Sequence, residues 1–182
     1  MRRIAISFLV GLDLQMDWTD IELFPRAAYE IDIEWRYMER HLEQEMLHGL
    51  DLDPDFQRLH VWTDAQRTAY LEYVLRGGEV GRNLTIACSD WHTTPTPDYV
   101  LVDGKQRLET VRKFLRDEVP AFGHLYSQFT GSLRMIQARF KWRVVECKTR
   151  QDILRLYLNI NAGGTPHTAE EIAKARALLQ EH

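Results

Sequence analysis

Tyr99-Val100-Leu101-Val102-Asp103-Gly104-Lys105-Gln106-Arg107 is the stretch that decides how this chain reads. Its first four residues form a short apolar run of the kind a buried strand makes. Beyond it, Leu108, Val111, Phe114 and Leu115 recur at helical spacing. A strand therefore ends on an acid and a glycine and turns at once into a helix that opens with Lys105, Gln106 and Arg107. The first turn of a helix has N–H groups without intrahelical partners and carries the positive end of the macrodipole. Cations there cost a little stability unless an anion sits among them, and phosphate is the usual anion at such a place. Asp103 beside it has the chemistry to hold a metal ion or take a proton. The stretch reads as a nucleotide-phosphate site.

The bulk properties set bounds around that site. The chain has 182 residues, enough for one domain with a real core, and 45% of them are apolar. A net charge of −4 gives no global basic signature, so any DNA contact must come from a local patch. Two cysteines, Cys88 and Cys147, make neither a disulfide framework nor a zinc site and read as buried thiols. Arg2 and Arg3 before Ile4–Leu12 resemble the front of a signal peptide, but Asp13, Asp17 and Asp20 interrupt and no small-residue cleavage site follows. No run reaches the roughly 18 apolar residues that span a bilayer. The expectation is a soluble cytoplasmic protein, bacterial or phage-encoded, with residues 1–28 as an N-terminal arm or strand.

Alternation and helical spacing give the remaining elements. Tyr29 to Trp35 alternates, with Glu30, Asp32 and Glu34 on one face, and predicts a half-buried strand. Arg36 to Leu50 predicts a helix ending at Gly49. Thr63 or Asp64 caps a helix that stops at Gly77-Gly78. Asn83 to Cys88 is a strand, and the loop after it presents Trp91 and His92. The helix after Arg107 is expected to end near Val119-Pro120. Phe122 to Phe140 suggests a hairpin or a short helix. Arg139 to Cys147 predicts a strand with Arg139, Lys141 and Arg143 on one face and Phe140, Trp142 and Val144 on the other. Basic residues interleaved with aromatics suit nucleic-acid backbone, and Trp91 offers a stacking surface; a solvated edge strand is the alternative. Thr149 caps a helix that runs into Asn159-Ile160-Asn161-Ala162-Gly163-Gly164, and Thr168 caps a last one.

Three separated segments place polar side chains or glycines at element boundaries: Gln57-Arg58, Asp103 to Arg107, and Asn159 to Gly164. In this order they resemble the DGQQR-motif family, the ParB/sulfiredoxin-like domains at the N-terminus of GmrSD-type modification-dependent restriction proteins. The family's opening F-Q-R, V-W and following glutamine stand here as Phe56-Gln57-Arg58, Val61-Trp62 and Gln66. Its D-G-Q-Q-R-L stands as Asp103-Gly104-Lys105-Gln106-Arg107-Leu108. Its late I-N-x-G-G segment is matched within Leu156 to Gly164. Lys105 departs from the first glutamine, and the family's HNH-type or helical effector region has no counterpart in these residues.

The resemblance implies an α+β class, a ParB/sulfiredoxin-like mixed sheet with flanking helices, and a nucleotide site using ATP or GTP with Mg²⁺. It implies that Gln57, Arg58, Gly104, Lys105, Gln106, Arg107 and Asn161 bind the nucleotide. Asp103, Lys105 and Arg107 become the catalytic set, with Asp103 holding the metal. Phosphoryl transfer needs little beyond positioning and charge neutralisation, and these residue types supply both. The expected function is an NTP-dependent kinase or NTPase acting on DNA, for example on hydroxymethylated bases. The length favours transfer to an acceptor. The alternatives are a nucleotide-gated DNA-binding or anti-restriction module, and a DNA nickase. The seven histidines are scattered without an HNH-like spacing.

Overall fold

A sheet of five strands carries the molecule. The computed structural model describes residues 27–57, 62–89, 99–131, 138–162 and 177–178. The strands are β1 (Ala27–Glu34), β2 (Leu50–Asp51), β3 (Asn83–Cys88), β4 (Tyr99–Asp103) and β5 (Arg139–Glu146). They lie in the order β1-β5-β3-β4-β2. β1 pairs with β5 and β3 with β4 antiparallel, whereas β5 pairs with β3 and β2 with β4 parallel. Four helices join them: α1 (Met38–Leu47), α2 (Asp64–Leu75), α3 (Lys105–Leu115) and α4 (Arg150–Ala162). This is the α+β arrangement expected, a mixed sheet with flanking helices consistent with a ParB/sulfiredoxin-like fold.

Side chains alternate across a strand, so β3, β4 and β5 each feed two separate cores. Leu84, Ile86, Leu101, Phe140, Trp142 and Val144 point to one face, where α1, α2 and α3 cover them. Ala87, Val102 and Val145 point to the other, where Ile153, Leu154, Leu156 and Tyr157 of α4 pack. β3 is buried continuously from Leu84 to Cys88, Thr85 included, because helices cover it on both sides. Thr63 and Gln66 form a reciprocal capping box that starts α2, and Thr149 with Asp152 does the same for α4. Glu39 of α1 receives Arg112 at 2.9 Å and Arg116 at 3.1 Å, which pins α3 against α1. Burial alone would raise Glu39's carboxyl, but these two guanidiniums outweigh it and hold it below its ordinary value.

Several boundaries differ from expectation. The segment expected as one helix from Arg36 to Leu50 is a 3-10 turn (Trp35–Tyr37), then α1, then β2. Leu50 pairs with Tyr99 instead of continuing the helix, and Met46 and Leu47 are exposed. α3 ends at Leu115, where Asp117 adopts a positive φ that no helix continues. In the segment Phe122 to Phe140, expected as a hairpin or short helix, the described residues show a bridge between Ala121 and His124 followed by a 3-10 turn, and 132–137 lie outside them. The arm at 1–26 and the helix after Thr168 fall outside the described residues, apart from the helical pair 177–178.

Cys88 and Cys147 are buried and form no disulfide. Burial pushes the Cys147 thiol up to about 12, and Asp152, Cys88 and Glu146 add to the shift. A thiolate, not a thiol, is the nucleophile. Ellman's reagent at pH 8 should therefore label neither cysteine in the native protein and both in urea. Fast native labelling would show that this part of the core opens readily.

Candidate functional site

Gly104 makes the strand-to-helix turn possible. It sits at φ +107°, a conformation that L side chains rarely adopt, and it is buried against β3. The turn brings Asp103 and Arg107 onto one side, four residues apart. Arg107 Nη2 lies 2.6 Å from Asp103 Oδ2, with both side chains largely covered. Lys105 pairs with Asp53, which reaches in from the segment after β2. The anion expected among the cations of α3 is thus supplied by the protein's own carboxylates. Asp103 does not cap its own helix; Gly104 occupies the cap position with no side-chain bond.

The two glutamines act as tethers. Gln106 Oε1 accepts from the backbone N–H of Trp62 at 3.1 Å, fastening the start of α2 to the first turn of α3. Gln57 Nε2 donates to the carbonyl of Leu101 in β4, while its Oε1 is buried with no hydrogen-bond partner. The segment holding Gln57 is tied on every side. Asp55 pairs with Arg150 of α4 at 2.7 Å, and Phe56 packs on Tyr157 with ring centroids 5.1 Å apart.

On the α2 side, Tyr70 donates to the carbonyl of Gly81 at 2.9 Å and meets the ring of Trp62 edge-on at 5.4 Å. Burial pushes the Tyr70 phenol above its ordinary range, against the opposing pull of Arg107 and Arg82. Two guanidiniums therefore approach this tyrosine. Arg82 has no motif and no periodicity to mark it, and the sequence reading did not single it out.

The structure thus gathers Gln57, Asp103, Gly104, Lys105, Gln106 and Arg107 at one end of β4. Asn161 is different: it lies in the last turn of α4, and its side-chain amide donates to the carbonyl of Tyr157 at 2.7 Å. The expected boundary after Asn159 is helical as far as Ala162. Arg58, Trp91, Gly163 and Gly164 lie outside the described residues. Arg139, Lys141 and Arg143 share a face of β5 as expected, but β1 lies beside them. Arg139 meets Asp32 at 3.2 Å, and Glu30 meets Arg143 at 3.2 Å and Lys141 at 3.9 Å. The acidic face and the basic face read separately from sequence form one ladder of ion pairs, in which Glu30 and Asp32 meet three cations.

The profile of the family described as GmrSD restriction endonuclease, N-terminal domain, matches residues 41–126. Residues 41–126 are similar to this GmrSD N-terminal domain. The match spans the whole β4–α3 junction, the Gln57 segment and α2, and stops short of β5 and α4. The matched segment therefore holds every described residue of the gathered site, while Asn161 and the charge ladder lie beyond the match. No curated protein and no solved structure matches the chain. Among the described residues no helix is long and apolar enough to cross a membrane.

Proposed function

We propose that this chain is a GmrSD-like, nucleotide-dependent phosphoryl-transfer module of a DNA-modification or restriction system, binding ATP or GTP with Mg²⁺. The observation that carries the reading is the Asp103–Arg107 pair at the mouth of α3, flanked by Lys105 and the buried amide of Gln57. An arginine fork matches phosphate oxygens, and the free N–H groups of the first helical turn add to it. Phosphate competes with Asp103 for Arg107. When it wins, Arg107 and Lys105 hold the nucleotide, and the Asp103 carboxylate is released beside it.

Among the described residues no three histidine, cysteine or acidic side chains converge as metal ligands. Mg²⁺ at phosphate sites is held by one or two carboxylates together with the substrate's own oxygens. Asp103 alone fits a metal that arrives with the nucleotide, where the ion's part is to neutralise charge on the phosphates. The acceptor we propose is a hydroxyl on DNA, such as a hydroxymethylated base. In the β1–β5 ladder Arg139, Lys141 and Arg143 are each already paired with Glu30 or Asp32, which weakens that strand as the DNA contact.

A second reading, a nucleotide-gated binding module without turnover, draws on the same pair. Exchange of Arg107 from Asp103 to a phosphate is alone enough to report nucleotide. The deciding assay incubates the protein with γ-labelled ATP or GTP, Mg²⁺, and DNA with and without hydroxymethylated pyrimidines. Label in the modified DNA is the expected result. Free labelled phosphate marks an NTPase instead. Label that stays on the nucleotide defeats the transfer reading and leaves the gated module.

A further inference from the structure

Of the cations at this mouth, Lys105 faces Asp53 and Arg107 faces Asp103. Arg82 differs from both. It lies in the turn between Gly81 and β3, and its side chain has no hydrogen bond or ion pair among the described residues. Its Nε is buried without an acceptor. A buried donor left unmet is unfavourable, and a charged one more so.

The surroundings give Arg82 a direction. The neighbouring Gly81 carbonyl is taken by Tyr70, and a Cβ built at Gly81 would lie 3.5 Å from both Arg107 Cδ and Tyr70 Cε2. Arg107 therefore runs alongside the turn that carries Arg82. The backbone of Arg82 is fixed as well, since its carbonyl accepts from Lys141 N–H at 2.9 Å. The turn holds an arginine with unused donors close to a second arginine and the ring of Tyr70.

We propose that Arg82 is an anion ligand, which clamps a phosphate group of the nucleotide together with Arg107 between the β3 turn and α3. This rests on the nucleotide reading given above and adds a residue from outside the Asp103–Arg107 motif. Arg82 is the more available of the two, because no carboxylate has to leave before it binds. Arg82 binds first, and Arg107 follows when it exchanges Asp103 for the anion.

The test is titration calorimetry of the full chain with ATP, GTP and inorganic tripolyphosphate, for wild type, Arg82→Gln and Arg82→Lys. The thermal midpoint should not fall, because the side chain makes no bond that the fold uses. Arg82→Gln should weaken both nucleotide and tripolyphosphate about 10- to 100-fold. Arg82→Lys should recover part of the loss, since it keeps the charge and loses the fork. Equal affinities in wild type and Arg82→Gln would overturn the assignment while leaving the nucleotide site intact. Arg82-dependent binding of tripolyphosphate without nucleotide binding would sustain the anion site and reject the nucleotide reading. No binding of any anion by wild type would overturn both.

Discussion

Gly104→Ala should cost about 2–5 kcal/mol of stability, the sum of a backbone term of roughly 1–2 and an overpacking term of roughly 1–3. The backbone term arises because residue 104 sits at φ +107°. The overpacking term arises because the new Cβ would lie 2.4 Å from Leu84 Cδ2 and 3.2 Å from the carbonyl oxygen of Asn83. Leu84 is fully buried in the main core, so its methyl group has little room to retreat. Against a total of roughly 5–15 kcal/mol, this is enough to unfold a marginal domain. Gly49→Ala is the control. It has a similar φ of +94° with nothing within 4 Å of the new Cβ, so it should show the backbone term alone. Urea midpoints measure both variants. If the two glycines cost the same, α3 does not approach β3 as closely as described.

Asp103→Ala should lower turnover at least 100-fold and, in the absence of divalent metal, tighten nucleotide binding up to about tenfold. The two effects have separate origins. Turnover falls because the carboxylate beside the reacting phosphate is gone. Affinity rises because Arg107 no longer has a partner at 2.6 Å to give up. A charge-assisted hydrogen bond contributes about 1.5–3 kcal/mol, less here because both side chains are partly solvated. The thermal midpoint should fall only slightly, since Asp103 caps nothing. A loss of affinity alongside the loss of turnover would show that Asp103 does not compete with phosphate for Arg107.

Much of the fold was legible because period and punctuation agree. The strict alternation of Arg139 to Glu146 and the run Asn83 to Cys88 match β5 and β3, and Thr63 with Gln66 marks the start of α2. The candidate site was legible where one contiguous motif carries it, from Asp103 to Arg107. What escaped were the relations between distant segments. Nothing in Asp53 announces that it will meet Lys105, or in Glu30 that it will neutralise Arg143. Local periodicity is blind to such pairing, so the cations looked available when each had an acid waiting. Arg82 was missed for the opposite reason: a lone arginine in a glycine turn carries no pattern. The helical place of Asn161 was not legible, because a polar residue near a glycine pair reads as a boundary, whereas its amide bonds within the helix.

The strand order also determines when the sheet can be completed. β3 sits between β4, which follows it closely in the chain, and β5, which comes much later. β1 then waits for β5, with Asp32 and Arg139 meeting across 107 residues. Closing so long a loop costs entropy before any contact repays it, and such topologies assemble slowly. A fragment cut to residues 41–126 would lack both β1 and β5. It would leave the inner edge of β3 without its hydrogen-bond partner, and Leu84 and Ile86 without the Phe140, Trp142 and Val144 side chains that share their core. The segment by which relatives are recognised is therefore not the segment that folds. An excised 41–126 would behave as an aggregation-prone intermediate, with an open strand edge in search of a mate.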